Sequence, residues 1–328
     1  MGIETVGSPA LWTGFLALVL LLLAVDLGIF HRKAHAVSVK EAAIWSAVWV
    51  GLAVLANLAI ALRFGPDKGL EFATGYLIEK ALAVDNIFVF VVIFSSFGIP
   101  ALYQHRILFW GILGALVLRA AFILAGGYFL HRFHWMIYLF GGLLLATGIR
   151  LFLQRKEEPH PENHVAVRAF RRLMPVTSGT EGGRFTVVRD GKRWATPLLL
   201  ALVAVEVSDL IFAIDSIPAI FAVTKDPFLV FTSNIFAILG LRSLYFLLAG
   251  IIDRFHYLKP ALSFVLVFVG AKMLLTGIVK IPIGLSLAVI GATIGGAIAL
   301  SLARGPRASG EQASGRGARS PGSPHIEG

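Results

Sequence analysis

The chain has 328 residues, of which 57% are hydrophobic and only 15% charged, with a mean hydropathy of +0.81. Soluble domains carry roughly 25% charged residues, so lipid has to cover this much apolar surface and a water-soluble fold is excluded. No cysteine is present, which excludes disulfides and thiolate metal centres, and the formal net charge of +10 reads as a sidedness signal of a membrane protein, with no nucleic acid implied.

In chain order, apolar runs long enough to cross a bilayer fall at 10–31, 41–62, 70–97, 105–130, 135–153, 196–222, 228–252, 260–279 and 282–302. The first lacks a basic leader and is too long for a signal-peptide core, so it is expected to persist as a span. The pattern predicts an all-α polytopic membrane protein of about nine transmembrane helices, with one membrane domain over 1–302 and a disordered tail over 303–328. A single long polar insert, 154–195, separates the fifth run from the sixth. It opens on "QRKEEPHPENH", continues as the basic amphipathic "HVAVRAFRRLMPV", and ends in "RFTVVRDGKRW", where Asp190-Gly191 predicts a hairpin turn. The amphipathic piece is expected on the membrane surface, with a site for protein partners in the 154–195 loop as the alternative.

Placing the N-terminus outside puts twenty Lys and Arg on the inner side and five on the outer. That asymmetry predicts a cytoplasmic C-terminus in a bacterial inner membrane.

Two stretches resemble each other. "LRAAFILAGGYFLHRFH" from Leu118 aligns with "LRSLYFLLAGIIDRFH" from Leu241, pairing Arg119 with Arg242, Gly127 with Gly250, and Arg132-Phe133-His134 with Arg254-Phe255-His256. At the same offset Gly148 meets Gly270, and upstream Asp85 meets Asp209. The repeat spans runs three to five and six to eight. Three is an odd number, so the second copy is expected to be inverted, a signature of secondary transporters whose substrate site lies where the copies face each other.

Within the runs lie six acids, Asp26, Glu79, Asp85, Glu206, Asp209 and Asp215, against four bases, Lys80, Arg119, Arg242 and Lys272. A charge at bilayer depth costs roughly 3 kcal/mol or more unless it is partnered or hydrated. The formal excess of two negative charges could be balanced by a divalent cation or by two protons. Seven-residue spacing puts Glu79 and Asn86 on one helix face, and Asp209 and Ser216 on another. Pro218 deprives the carbonyl of Ile214 of its helical donor. Carboxylates, an amide, a hydroxyl and freed carbonyls form an all-oxygen set suited to hard cations such as Mn2+, Mg2+ or Ca2+. A plainer alternative makes Asp85 or Asp209 the ion-pair partner of Arg119 or Arg242, tying helices together. Asp26 is as well suited to an entrance or structural role. No GxSxG, HExxH, phosphate loop or Ser/His/Asp pattern occurs, so enzymatic activity and a resident cofactor are not expected.

"EKALAVDNIFVF" (79–90), the run "TPLLLALVAVEVSDLIFAIDSIPAIFAVTKDPFLVFTSNIFAILGLRSLYFLL" (196–248), "DLGIFHRKAHAVSVKEA" and "GRFTVVRDGKRWATP" resemble the TerC family of integral membrane proteins, over about residues 10–302. The resemblance implies a link to tellurium resistance and to metal-ion exporters, manganese above all, built of three-helix repeats. It places the family's acidic motifs on Glu79, Asp85, Asn86, Glu206, Asp209, Asp215 and Ser216. The expectation is therefore a Mn2+ exporter working by alternating access. Asp85 and Asp209 would be the principal ligands, completed by Glu79 and Asp215, with Arg119 and Arg242 as charge partners and proton antiport through Glu206 or Glu79. The alternatives are a membrane scaffold in a tellurite-resistance or metalation complex and, more weakly, oxyanion exchange at Arg119 and Arg242.

Overall fold

The structure is a computed structural model that describes residues 5–30, 37–133, 135–153, 165–189, 191–249, 257–279 and 281–304. The side chain of Asp26, the 154–164 segment, the repeat matches at 250–256 and the tail from 305 lie outside the described residues.

Helices occupy all nine apolar runs. They are α1 (Pro9–Phe30), α2 (Val39–Phe64), α3 (Pro66–Ser96), α4 (Ala101–Arg132), α5 (Met136–Leu153), α7 (Pro197–Phe221), the pair α8 (Pro227–Leu239) and α9 (Leu241–Leu248), α10 (Leu258–Leu274) and α11 (Ile283–Arg304). The chain is thus an all-α polytopic membrane protein. By length and apolarity α2, α4, α5, α7 and α11 can each cross a bilayer, and α8 with α9 makes a sixth span if the bent pair is one. Helix α3 is 31 residues long, and six charged residues from Asp67 to Asp85 interrupt its apolar run.

One departure from the sequence reading is the seventh run, expected as a single helix over 228–252. It is broken at Gly240, where α8 and α9 meet at 41°. A Cβ on Gly240 would stand 2.9 Å from the Lys80 ammonium and 3.0 Å from Cβ of Trp49, so the break lies where α2 and α3 both crowd this segment. Lys80 Nζ donates to the carbonyl of Ala237 at 3.3 Å, placing a cation at the negative end of the α8 dipole.

Helix α8 is the axle of the molecule, with all thirteen of its residues buried. Trp12 and Phe15 of α1 pack against its Phe228 and Phe231, three of the four ring pairs edge-to-face, with centroids 5.1–6.1 Å apart. Its N-terminus is capped by Asp226, which accepts from the backbone N–H of Phe228 at 2.9 Å and also receives the Thr5 hydroxyl (2.7 Å) and the Val6 N–H (2.8 Å). The residues just before α1 are thereby tied across the bundle.

Helices α5 and α10 form the tightest seam. Ser263 Oγ donates to the Gly148 carbonyl at 2.6 Å. A Cβ on Gly148 would lie 2.8 Å from the Val267 nitrogen, and one on Gly270 would lie 2.7 Å from the Leu145 nitrogen. Small residues let helix backbones approach in lipid, where apolar burial supplies no drive between helices. The offset that pairs Gly148 with Gly270 also pairs Leu145 with Val267, so each contact is the image of the other under exchange of the two helices. A two-fold relation between neighbours gives this reciprocity.

The 165–195 insert holds the short amphipathic helix α6 (Val165–Leu173) and an antiparallel hairpin, β1 (Thr186–Arg189) and β2 (Lys192–Ala195). Arg189 pairs with Lys192, which leaves a two-residue link ending at Gly191 with φ +73°, the backbone region that glycine takes freely. Val167 of α6 is buried, while Arg168, Arg171 and Arg172 are exposed.

Candidate functional site

Glu79, Arg119 and Asp209 each lie within three residues of the midpoint of their helix, α3, α4 and α7 respectively. Helices α3 and α4 both pack on α7, and these side chains meet there. Arg119 Nε donates to Asp209 Oδ2 at 3.2 Å and Nη2 to Oδ1 at 2.9 Å, a bidentate fork. Nη1 donates to Glu79 Oε1 and stands 3.4 Å from Ser216 Oγ. The trio is withdrawn from the surface, at 1% exposure for Arg119 and Glu79 and 3% for Asp209. Asp209 and Ser216, two turns apart on α7, face the same guanidinium, as their spacing predicts.

Two carboxylates against one guanidinium leave a formal excess of one negative charge in a buried pocket. The desolvation cost of such a group is met only where geometry and hydrogen bonds are good. They are good at Asp209. Glu79 is less well served, because its Oε2 is buried with no hydrogen-bond partner among the described residues. Buried polar atoms without partners are rare and call for an explanation such as a water or an ion. Further unpartnered oxygens occur at Asn86 Oδ1 and Glu206 Oε2.

The remaining sequence-predicted residues spread around this centre. Glu206 sits one turn before Asp209 and turns toward α4, where a Cβ on Gly114 would overlap its carboxylate. It faces a crevice of about 590 Å3 between α4 and α7, lined by apolar side chains that include the exposed Trp110 and Val117, and no cation pairs with it among the described residues. Asp215, on the same helix, accepts from Thr147 Oγ1 of α5 at 3.0 Å. Asp85 is half-buried and makes no hydrogen bond among the described residues, while the exposed Lys259 at the start of α10 acts on it as a positive charge. Arg242 is buried in α9, at the bend. Among the described residues no three His, Asp or Glu side chains cluster as a preformed metal cage. The carboxylate pair Glu79–Asp209 is held together by Arg119.

Sequence reasoning left Asn234 unremarked. It is fully buried in α8, with both amide atoms unpartnered among the described residues. Contacts on either side of it, Ser233 against Gly75 and Ala237 with Lys80, put it in the layer beside residues 75–80 of α3. The signal was available in "FTSNIF", where an amide interrupts an apolar helix.

Comparison with known proteins accords with this architecture. The sequence profile of the integral membrane protein TerC family matches residues 64–309. An uncharacterized membrane protein of Myxococcus xanthus is 60% identical over 298 residues, 91% of this chain and 93% of its own length. A protein of Escherichia coli (strain K12), named as a membrane-bound redox modulator, Alx, is 48% identical over 296 residues, 88% of this chain and 92% of its own. No solved structure matches the chain. With most of its length matched by the profile and by relatives of this identity, the chain belongs to the TerC family of integral membrane proteins.

Proposed function

We propose that the protein exports a divalent metal ion, Mn2+ first among the candidates, across the bacterial inner membrane by alternating access. The observation that carries the reading is the buried Glu79–Arg119–Asp209 trio at mid-helix depth, with excess negative charge and an unpartnered carboxylate oxygen. Glu79 and Asp209 take the ion, and Asp85, Asp215, Asn86 and Ser216 add oxygens as the two repeats rock. An all-oxygen set suits a hard cation. The reciprocal α5–α10 seam supports an inverted repeat and therefore a rocking mechanism.

A divalent cation leaving a negative interior works against about 2.3 kcal/mol per charge for each 100 mV, so a driving ion is required. Glu206 suits that role as a proton carrier, since it has no cationic partner among the described residues and borders a crevice beside Asp209. The orientation proposed has the N-terminus outside and the C-terminus in the cytoplasm. The relatives' redox name fits an indirect effect through metal content, because this chain has no thiol of its own.

The test is Mn2+ flux in proteoliposomes. Wild type transports, and Asp85→Asn combined with Asp209→Asn stops it; flux unchanged in the double variant sinks the reading. A second reading, a scaffold for soluble partners, is favoured by one observation, the exposed basic side chains of the insert, Arg168, Arg171 and Arg172 on α6 and Lys192 and Arg193 on β2. Deleting residues 160–190 separates the two: a scaffold loses its cellular effect, while an exporter keeps its flux in liposomes.

A further inference from the structure

Arg119 fills the place that a transported cation needs. Its three nitrogens engage Asp209 Oδ1, Asp209 Oδ2 and Glu79 Oε1, three of the four carboxylate oxygens of the pair. Only Glu79 Oε2 is left over, and it is buried with no hydrogen-bond partner among the described residues. A carboxylate oxygen that accepts an N–H keeps a second lone pair, so the conflict is one of charge and room: a dication at this pair would sit directly against the guanidinium that already bridges it. The guanidinium and a divalent cation therefore compete for the same two carboxylates.

We propose that Arg119 is a built-in competitor for the transported cation: it occupies the Glu79–Asp209 pair when the carrier is empty and has to withdraw before a metal ion can bind. The proposal rests on the metal-export reading and adds to it the state of the site between cargoes. It accounts for a cation at the centre of an acidic site, which a purely attractive metal cage would exclude. It also gives the empty protein a way to cross its conformational cycle without carrying two uncompensated buried carboxylates, whose cost is prohibitive in a low-dielectric interior. The arginine thus weakens metal binding and permits the return step. Both follow from one hydrogen-bonded fork.

The two roles predict opposite signs in two assays. Apparent affinity falls by the fraction of protein in the binding-competent state, so where Arg119 holds most of the population, removing it tightens binding on the order of ten-fold. In full-length protein in nanodiscs, calorimetric titration with MnCl2 is expected to show Arg119→Gln binding on the order of ten-fold more tightly than wild type. The same variant should lose most of its flux in proteoliposomes. Arg119→Lys keeps the charge and the fold but lacks the planar fork that matches a carboxylate, so its affinity should fall between the two. This variant keeps the idea testable if Arg119→Gln does not fold. Mn2+ binding that is present in wild type and weaker in a folded Arg119→Lys or Arg119→Gln overturns the competitor role alone, and would make Arg119 an organiser of the carboxylates. Absence of Mn2+ binding in wild type and in every folded variant overturns the export reading and the competitor role together.

Discussion

Two interior junctions hold this bundle, and they do so by opposite means. The α5–α10 seam is made of glycines set against the partner helix's main chain and apolar side chains, with the Ser263 hydroxyl closing on the Gly148 carbonyl. The α3–α4–α7 junction is made of charge, and among the described residues it is left incomplete, with one carboxylate oxygen lacking a donor and an excess of negative charge. Among the described residues the first leaves no buried side-chain polar atom unpaired, so it offers nothing to a ligand. Polar groups left unsatisfied inside a membrane are expensive, and their persistence points to function. That contrast separates the helix contacts that hold the shape from those that do the work.

Substitutions can break or sharpen it. The largest stability loss is expected for Asp209→Asn, which leaves the buried Arg119 fork half-paired, at about 3–5 kcal/mol by analogy with broken buried ion pairs. Thermal unfolding in detergent would show it as a large drop in midpoint. Next is Gly270→Ala at the seam. Its new methyl would stand 2.7 Å from the Leu145 nitrogen, a main-chain atom that cannot turn aside. Overpacking of this kind costs roughly 1–3 kcal/mol, and metal binding by the protein that remains folded should be unaltered. Asp215→Asn weakens a single hydrogen bond from Thr147, worth about 1 kcal/mol, in the same melting assay. Smallest in stability is Asp85→Asn, within about 0.5 kcal/mol, because no hydrogen bond among the described residues is lost and only the exposed Lys259 charge acts on it. Its Mn2+ flux should nevertheless fall steeply. A variant that is stable yet inactive is the mark of a functional position, and full flux in Asp85→Asn would remove this residue from the site.

Much of this was legible in the sequence because lipid imposes strict rules on it. Apolar runs of the right length became helices at all nine places, and the acids that interrupt them flagged α3 and α7. The seven-residue spacing correctly put Asp209 and Ser216 on one face. The partner of Asp209 was foreseen only as one of several options. Periodicity tells which way a residue points within its helix but not which neighbouring helix it meets, and Arg119 comes from α4, ninety positions away. The bend at Gly240 was missed for a related reason, since the crowding that sets it comes from Trp49 and Lys80 on two other helices. The hydrogen bonds that the capping Asp226 accepts from Thr5 and Val6 join positions more than two hundred residues apart, and no local signal announces them.

The claim on which the rest depends is that the Glu79–Asp209 pair is a cation site from which Arg119 withdraws. Crystals of the protein soaked with MnCl2, with diffraction recorded at the manganese absorption edge, would test it directly. The account predicts an anomalous peak between the two carboxylates, with the Arg119 guanidinium displaced from Asp209. An ordered Arg119 fork unchanged at saturating Mn2+, with no peak between Glu79 and Asp209, would contradict it.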